Sequence, residues 1–193
     1  RIRNTPDSNT YQRFEEAGTD LGQILNRKKN IALTKNLDND LSKAIGRISG
    51  GLYVVTASQA DGQSKRRSAM VASWVSQASF TPPGISIAIA KDRAVGALLH
   101  CGDEFTLNIL AAGRHTELMK QFLQPFQPGA NRFTGLQTDN SPAGQPILPE
   151  ALAWLEANVK QRMECGDHWL IYAEVKNGKV IDSEGVTAVH HRR

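Results

Sequence analysis

The stretch "MVASWVSQASFTPPGISIAIA", residues 70–90, sets two patterns side by side. In its second half Ile85, Ile87 and Ile89 alternate with Ser86, Ala88 and Ala90, the period of two expected of a strand with one apolar face. The first half is apolar but carries Ser73, Ser76, Gln77 and Ser79, with one large aromatic, Trp74. Pro82-Pro83-Gly84 divides the halves, because prolines lack the amide hydrogen that a ladder needs. The stretch therefore reads as a strand pair. Its hydroxyls allow two readings. Serines beside a turn can satisfy local backbone groups; they can equally face a flat polar ligand lying along the strand.

Outward from this pair the chain alternates strands and turns. "DNDLSKAIGRISGG" predicts a helix capped by Asp or Asn, with Leu41, Ala44, Ile45 and Ile48 at helical spacing and Gly50-Gly51 ending it. "LYVVTAS" predicts a strand and Asp61-Gly62 a hairpin turn. "KDRAVGALLHCG" reads as a short helix capped by Asp92, burying Val95, Leu98 and Leu99 and stopped by Gly102. "EFTLNIL" is a strand with Phe105, Leu107 and Ile109 opposite Thr106 and Asn108, and "TELMKQFL" a second helix.

Residues 125–149, rich in Pro and Gly, read as loop. Beyond them Leu155, Ala157, Val159 and Met163 alternate with Glu156, Asn158, Lys160, Arg162 and Glu164 as a long two-faced strand. "ECGDH" turns it back, and Asn177-Gly178 predicts one more turn. About six hairpin-linked strands and few helices argue for a mainly β fold, a closed or nearly closed antiparallel barrel. The missing βαβ rhythm and GxGxxG argue against a doubly wound dinucleotide fold.

Composition narrows the classes. The net charge is +4, and basic clusters at Arg27-Lys28-Lys29, Lys65-Arg66-Arg67 and Arg192-Arg193 are separated by acidic residues. A nucleic-acid binder rests on those scattered clusters alone, so no nucleic-acid partner is expected. No apolar run approaches the ~20 residues of a membrane span. Cys101 and Cys165 lack metal spacing and read as reduced, partly buried thiols of a cytoplasmic protein. Residues 1–37, with Tyr11, Phe14, Leu21, Ile24 and Leu25 on one helical face before a basic linker, read as the end of an upstream element. The main domain is expected over 38–193, and the absence of an initiator Met is read as a piece cut from a longer chain.

Two groups of residues carry candidate chemistry. Lys91, Asp92 and Arg93 follow the isoleucine strand at an expected helix start. A helix end contributes only ~0.3–1 kcal/mol to anion binding, whereas a charge-assisted hydrogen bond contributes ~1.5–3 kcal/mol. Serine, lysine and arginine donors would therefore decide a phosphate site, with Asn108 as a further amide. The second group is His168 beside Asp167, which would fix the imidazole tautomer; a structural and a functional role both stand. His100, His115, His190 and His191 show no ligand spacing, so no metal site is expected.

"ASWVSQASFTPPG", "IAKDRA", "FTLNIL" and "RMECGDHWLIYAEV" together resemble the flavin reductase-like family over residues ~40–191. More narrowly, "ASWVSQASF", "AKDRA" and "TAVHH" are similar to the C-terminal module of cyanobacterial diflavin flavodiiron (A-type) flavoproteins. The resemblance implies an antiparallel Greek-key split β-barrel, preceded here by a helical linker segment from a flavodoxin-like domain.

It also implies an NAD(P)H:flavin oxidoreductase that binds FMN. In the full protein it would feed a second FMN and a diiron centre, both in upstream domains, for reduction of O2 to water. Ala72, Ser73, Trp74, Val75 and Ser76 would lie along the flavin. Lys91 and Arg93, with Ser79, would meet its phosphate, Asn108 would stand beside it, and His168 would mark the nicotinamide approach. Split barrels of this kind build the flavin site near a two-fold axis, which implies a homodimer or a heterodimer with a paralogue. The competing expectation is a catalytically silent dimerisation or docking module on the same fold.

Overall fold

The computed structural model describes residues 40–61, 64–124, 126 and 130–190, together with Phe14, Glu15, Ala17 and Thr19. Most of the expected upstream segment 1–37 lies outside the described residues. A short helix, α1 (Asp40–Ile45), leads into β1 (Gly50–Gly51), β2 (Tyr53–Asp61), β3 (Ser64–Ala72), β4 (Val75–Phe80) and β5 (Pro83–Ala90). A 3-10 helix (Ala94–Leu98), β6 (Glu104–Ile109) and α2 (His115–Leu123) come next. β7 (Asp139–Asn140), β8 (Pro146–Ile147), β9 (Ala153–Cys165), β10 (His168–Val180) and β11 (Val189–His190) complete the order.

Seven strands form one antiparallel sheet in the order β3-β2-β6-β9-β10-β5-β4. Its two edges, β3 and β4, are consecutive in the chain and joined only by Ser73 and Trp74. That joint draws the edges together at one end and leaves them unpaired beyond it, which is the split of a split barrel. Ile85, Ile87 and Ile89 point inward as their spacing predicts, into a core with Val55, Phe105, Leu107, Val159 and Ile171. Val95, Leu98 and Leu99 of the 3-10 helix segment join the same core. A second cluster, including Val54, Leu110, Phe133 and Leu148, receives Leu118 and Phe122, one turn apart on α2. Each such burial contributes about 1.5–3 kcal/mol.

The structure corrects several expectations. The first half of 70–90 is not one strand: β3 ends at Ala72 and β4 begins at Val75. Asp92 is not the N-cap expected, because the helix after β5 is a five-residue 3-10 turn with Arg93 at its N-cap and no side-chain cap bond. Along β9 the inward alternation holds from Leu155 to Val159 and then reverses. Tyr172 pairs with Gln161 but Ala173 with Val159, so Lys160 is an extra residue. A bulge shifts parity by one; Arg162 therefore turns inward and Met163 outward into solvent. Asn177-Gly178 is no turn, since β10 stays paired with β9 through Val180. Gly178 is required by packing: a Cβ there would lie 2.8 Å from Leu155 Cδ2 and 3.1 Å from the Trp154 carbonyl oxygen. Cys101 and Cys165 are both exposed, one in the turn before β6 and the other at the end of β9.

Candidate functional site

The Ser73–Trp74 joint is pinned on two sides. The Ala88 amide donates to the Trp74 carbonyl at 3.0 Å. Gly50 packs so closely that a Cβ would sit 2.3 Å from the Ser73 carbonyl oxygen. β1 in turn pairs with β11, Gly50 opposite His190, which places this glycine strand over the joint. The result is a cavity of about 560 Å3. Its floor is the outward face of the two strands next to the β4 edge, Ser86 and Ala88 of β5 and Leu170 of β10. Ser73, Trp74, Val75 and Ser76 form one wall, and Ile45, Ile48, Gly50 and His190 another. The volume lies within the ~300–1,000 Å3 of small-molecule sites. The alternation that sends the three isoleucines inward thus also makes the floor: small side chains leave it flat.

At one end of this floor β9 and β10 meet in the tight Gly166-Asp167 turn, where Gly166 takes the positive φ of 59°. His168 pairs with Ala90, and the Lys91 amide donates to the Asp167 carbonyl at 2.9 Å, so Lys91 stands beside the turn. His168 Nδ1 lies 2.7 Å from Asp167 Oδ1. That hydrogen bond chiefly, with the nearby His168 and Lys91 charges, holds the Asp167 carboxyl below its usual range against the opposing effect of burial. An ionised Asp167 accepts, so Nδ1 donates and Nε2 is the free ring nitrogen. The Trp74 and His168 ring centroids are 4.8 Å apart with planes tilted by 36°.

The other expected residues fall in three places. Lys91 is paired with Glu164 and lies 5.1 Å over the Trp169 ring, while Arg93 lies 3.6 Å from Asp92. Neither lines the cavity; both follow directly from the end of β5 that carries its floor. Ser79 is opposite Gly84 at the far end of β5, about 23 Å along the strand from Lys91. It does not share a phosphate with Lys91. Ala72 closes β3 with its side chain buried in the barrel core.

Asn108 belongs to another environment altogether. It is fully buried, donates to the Val54 carbonyl and to Thr56 Oγ1, both at 3.1 Å, and accepts from the Leu148 amide at 2.8 Å. Its amide binds the loop before β9 to the barrel, not the cavity. The basic residues Lys65, Arg66 and Arg67 sit near the hairpin end of β3, about 20 Å or more along the strand from Ser73. Sequence reasoning missed the Ile45–Gly50 wall. Its signal was an apolar helical stripe without an assigned core partner: Leu41 and Ile48 are 69% and 76% exposed.

The family model described as "Flavin reductase like domain" matches residues 45–193. This chain belongs to the flavin reductase-like domain family. The chain is 54% identical to Diflavin flavoprotein A 1 of Synechocystis sp. over 193 residues. That match covers all of this chain and 33% of the relative, so the chain spans about a third of the length of the curated relatives it matches. Among solved structures it is similar to the NADH:FAD oxidoreductase SgcE6 of Streptomyces globisporus C-1027. That likeness has a TM-score of 0.69 at 23% identity and covers 78% of this chain and 86% of that one. It is also similar to BorF, the flavin reductase component of a bacterial two-component tryptophan halogenase. There the TM-score is 0.66 at 25% identity, with coverage of 79% and 92%. The seven-stranded antiparallel sheet is thus the split barrel expected from sequence, and among the described residues no helix is long and apolar enough to cross a membrane.

Proposed function

We propose that the chain is an NAD(P)H:flavin oxidoreductase module that holds FMN in the cavity beside Trp74 and passes electrons onward. The observation that carries this reading is the meeting of the pinned Ser73–Ser76 backbone, which walls the cavity, with the Asp167–His168 pair, which touches that wall through the Trp74 ring. The residues fit such a cofactor. β4 is a sheet edge, so its outer backbone groups are available to the polar rim of a flat ring. Ser86 and Ala88 give the ring a smooth floor, and Ser73 and Ser76 add hydroxyls. Lys91 and Arg93 supply cations for the phosphate where β5 ends.

When bound, FMN supplies hydride acceptance and onward transfer of single electrons, so the chain needs no acid–base pair of its own. Its residues orient: the Asp167 carboxylate fixes the imidazole of His168, and the cavity walls set the ring plane. The relatives named above support a larger setting, the C-terminal module of a cytoplasmic diflavin flavoprotein. Upstream domains there would carry a second FMN and a diiron site that reduces O2 to water. The exposed Leu41 of α1 and the exposed Ile48 of the cavity wall fit a second subunit, either a copy of this chain or a paralogue. Sedimentation of the protein would read this as a dimer.

The decisive experiment adds FMN to the purified chain and then NADPH or NADH under anaerobic conditions. Bleaching of the flavin's visible absorption is expected with at least one nucleotide. Stoichiometric FMN binding without bleaching by either nucleotide leaves only a docking module. Lys91→Ala is expected to weaken FMN binding while the circular-dichroism spectrum stays unchanged.

A further inference from the structure

Trp74 is half exposed, with 52% of its surface open, yet it lies at the centre of the site. Its backbone is held by the Ala88 amide at the joint between β3 and β4. That side chain rests on His168 at 4.8 Å between ring centroids. Trp74 borders the cavity and His168 does not, so the indole stands between the imidazole and the space proposed for the flavin. With Nδ1 taken by Asp167, His168 has its ring and Nε2 left to meet a substrate, and the indole already occupies its ring contact.

We infer that Trp74 is a self-ligand for the nicotinamide subsite: its indole sits where the nicotinamide ring must stack against His168, and the nucleotide enters by displacing it. The inference rests on the functional reading above and deepens it by naming a specificity-determining residue. A flat aromatic ring loses one partner and leaves another of similar size, so the exchange is nearly balanced. The indole therefore lowers nucleotide affinity by the strength of the stack it makes on its own. A nicotinamide nucleotide that brings an aromatic ring can meet this competition, whereas a sugar phosphate without a base has no ring to offer His168. The joint thereby has two functions, with its backbone bordering the cavity and its side chain covering the adjacent subsite.

The test compares wild type, Trp74→Ala and Trp74→Phe, each loaded with FMN. Binding of oxidised NAD+ and NADP+ is measured by calorimetry, independently of turnover. Trp74→Ala is expected to tighten the preferred nucleotide about 2- to 12-fold, the range for loss of one aromatic stack, with Trp74→Phe between it and wild type. In anaerobic stopped-flow reduction KM falls by a similar factor. Indole emission of the wild type shifts on adding the nucleotide, and the shift is missing in Trp74→Phe. Unchanged or weaker nucleotide binding in Trp74→Ala overturns the inference, as does a loss of FMN affinity, which would make the indole a flavin contact. If wild-type protein is reduced by a nucleotide but Trp74→Ala gains no affinity, only this inference falls. If wild type binds FMN and neither nucleotide bleaches it, the functional reading fails and the inference with it.

Discussion

Arg162 and Glu15, 147 residues apart in sequence, meet with the guanidinium Nη2 lying 3.4 Å from the Glu15 carboxylate. The second oxygen of that carboxylate is 3.3 Å from His100 Nε2. Arg162 keeps only 9% of its side chain exposed, donates to the Gly96 carbonyl at 3.0 Å and lies 4.1 Å over Trp169. One arginine thus ties the 3-10 helix, the sheet and the helical residue Glu15 together. Arg162→Met should cost about 1–3 kcal/mol, mainly by stranding the Gly96 carbonyl and removing the cation from the indole. Urea denaturation followed by tryptophan fluorescence measures it; an unchanged midpoint would mean that the contact carries no stability.

Glu156 sets part of the acid limit. Burial raises its carboxyl, but hydrogen bonds from Ser141, the Ala143 amide and Asn177 outweigh this and hold it below the usual range. With the folded value depressed, its contribution is complete above the unfolded value near 4.5 and is lost as pH falls through the folded one. Glu156→Gln should therefore be less stable than wild type by about 1–3 kcal/mol at neutral pH, with the gap closing as pH falls through the folded value. Thermal melts across that range check the sign. A constant gap would remove Glu156 from the acid response.

Asn108 separates a structural from a ligand role. Truncation to Ala strands the Leu148 amide and takes donors from Val54 and Thr56, all inside the fold. A loss of at least ~2 kcal/mol in denaturant stability is expected, with little change in the FMN affinity of the folded fraction. The reverse outcome, a stable protein with weakened FMN binding, would restore the flavin contact expected from sequence.

Glu164 competes with any phosphate for Lys91. The ammonium beside it, through a hydrogen bond and its charge, holds the Glu164 carboxyl below its usual range. Glu164→Gln should free Lys91 and tighten FMN binding by about twofold, more at low salt. Flavin fluorescence titration would read this. Weaker binding in the variant would show that the pair orients Lys91 instead of competing for it.

What the sequence made legible was local. The period of β5 predicted both the isoleucine core and the small-residue floor, because strand parity survives wherever no residue is inserted. The Asp167–His168 pair was visible for the same reason: neighbours across a tight turn need no distant information. Asn108 was misread because strand alternation separates two faces, and both faces of β6 are buried here. Its partners lie 54, 52 and 40 residues away, beyond any local pattern. Asn177-Gly178 carried a genuine turn signal that pairing with β9 overrode. The Ile45–Gly50 wall could not be placed either, since a helical stripe records that a face is apolar without recording what it meets.

The extra residue at Lys160 has a consequence for how this domain tolerates change in length. Val159 and Gln161, on either side of it, already face the adjacent β10 residues Ala173 and Tyr172, so removing Lys160 leaves that pairing and every later facing unchanged. Deletion of Lys160 would straighten β9 while Arg162 keeps its Glu15 and Gly96 contacts and Met163 stays in solvent. Substitution of Lys160, an exposed side chain, should be almost silent. At this point of the strand both the identity and the presence of the residue are expendable, because the bulge absorbs a change of one in length.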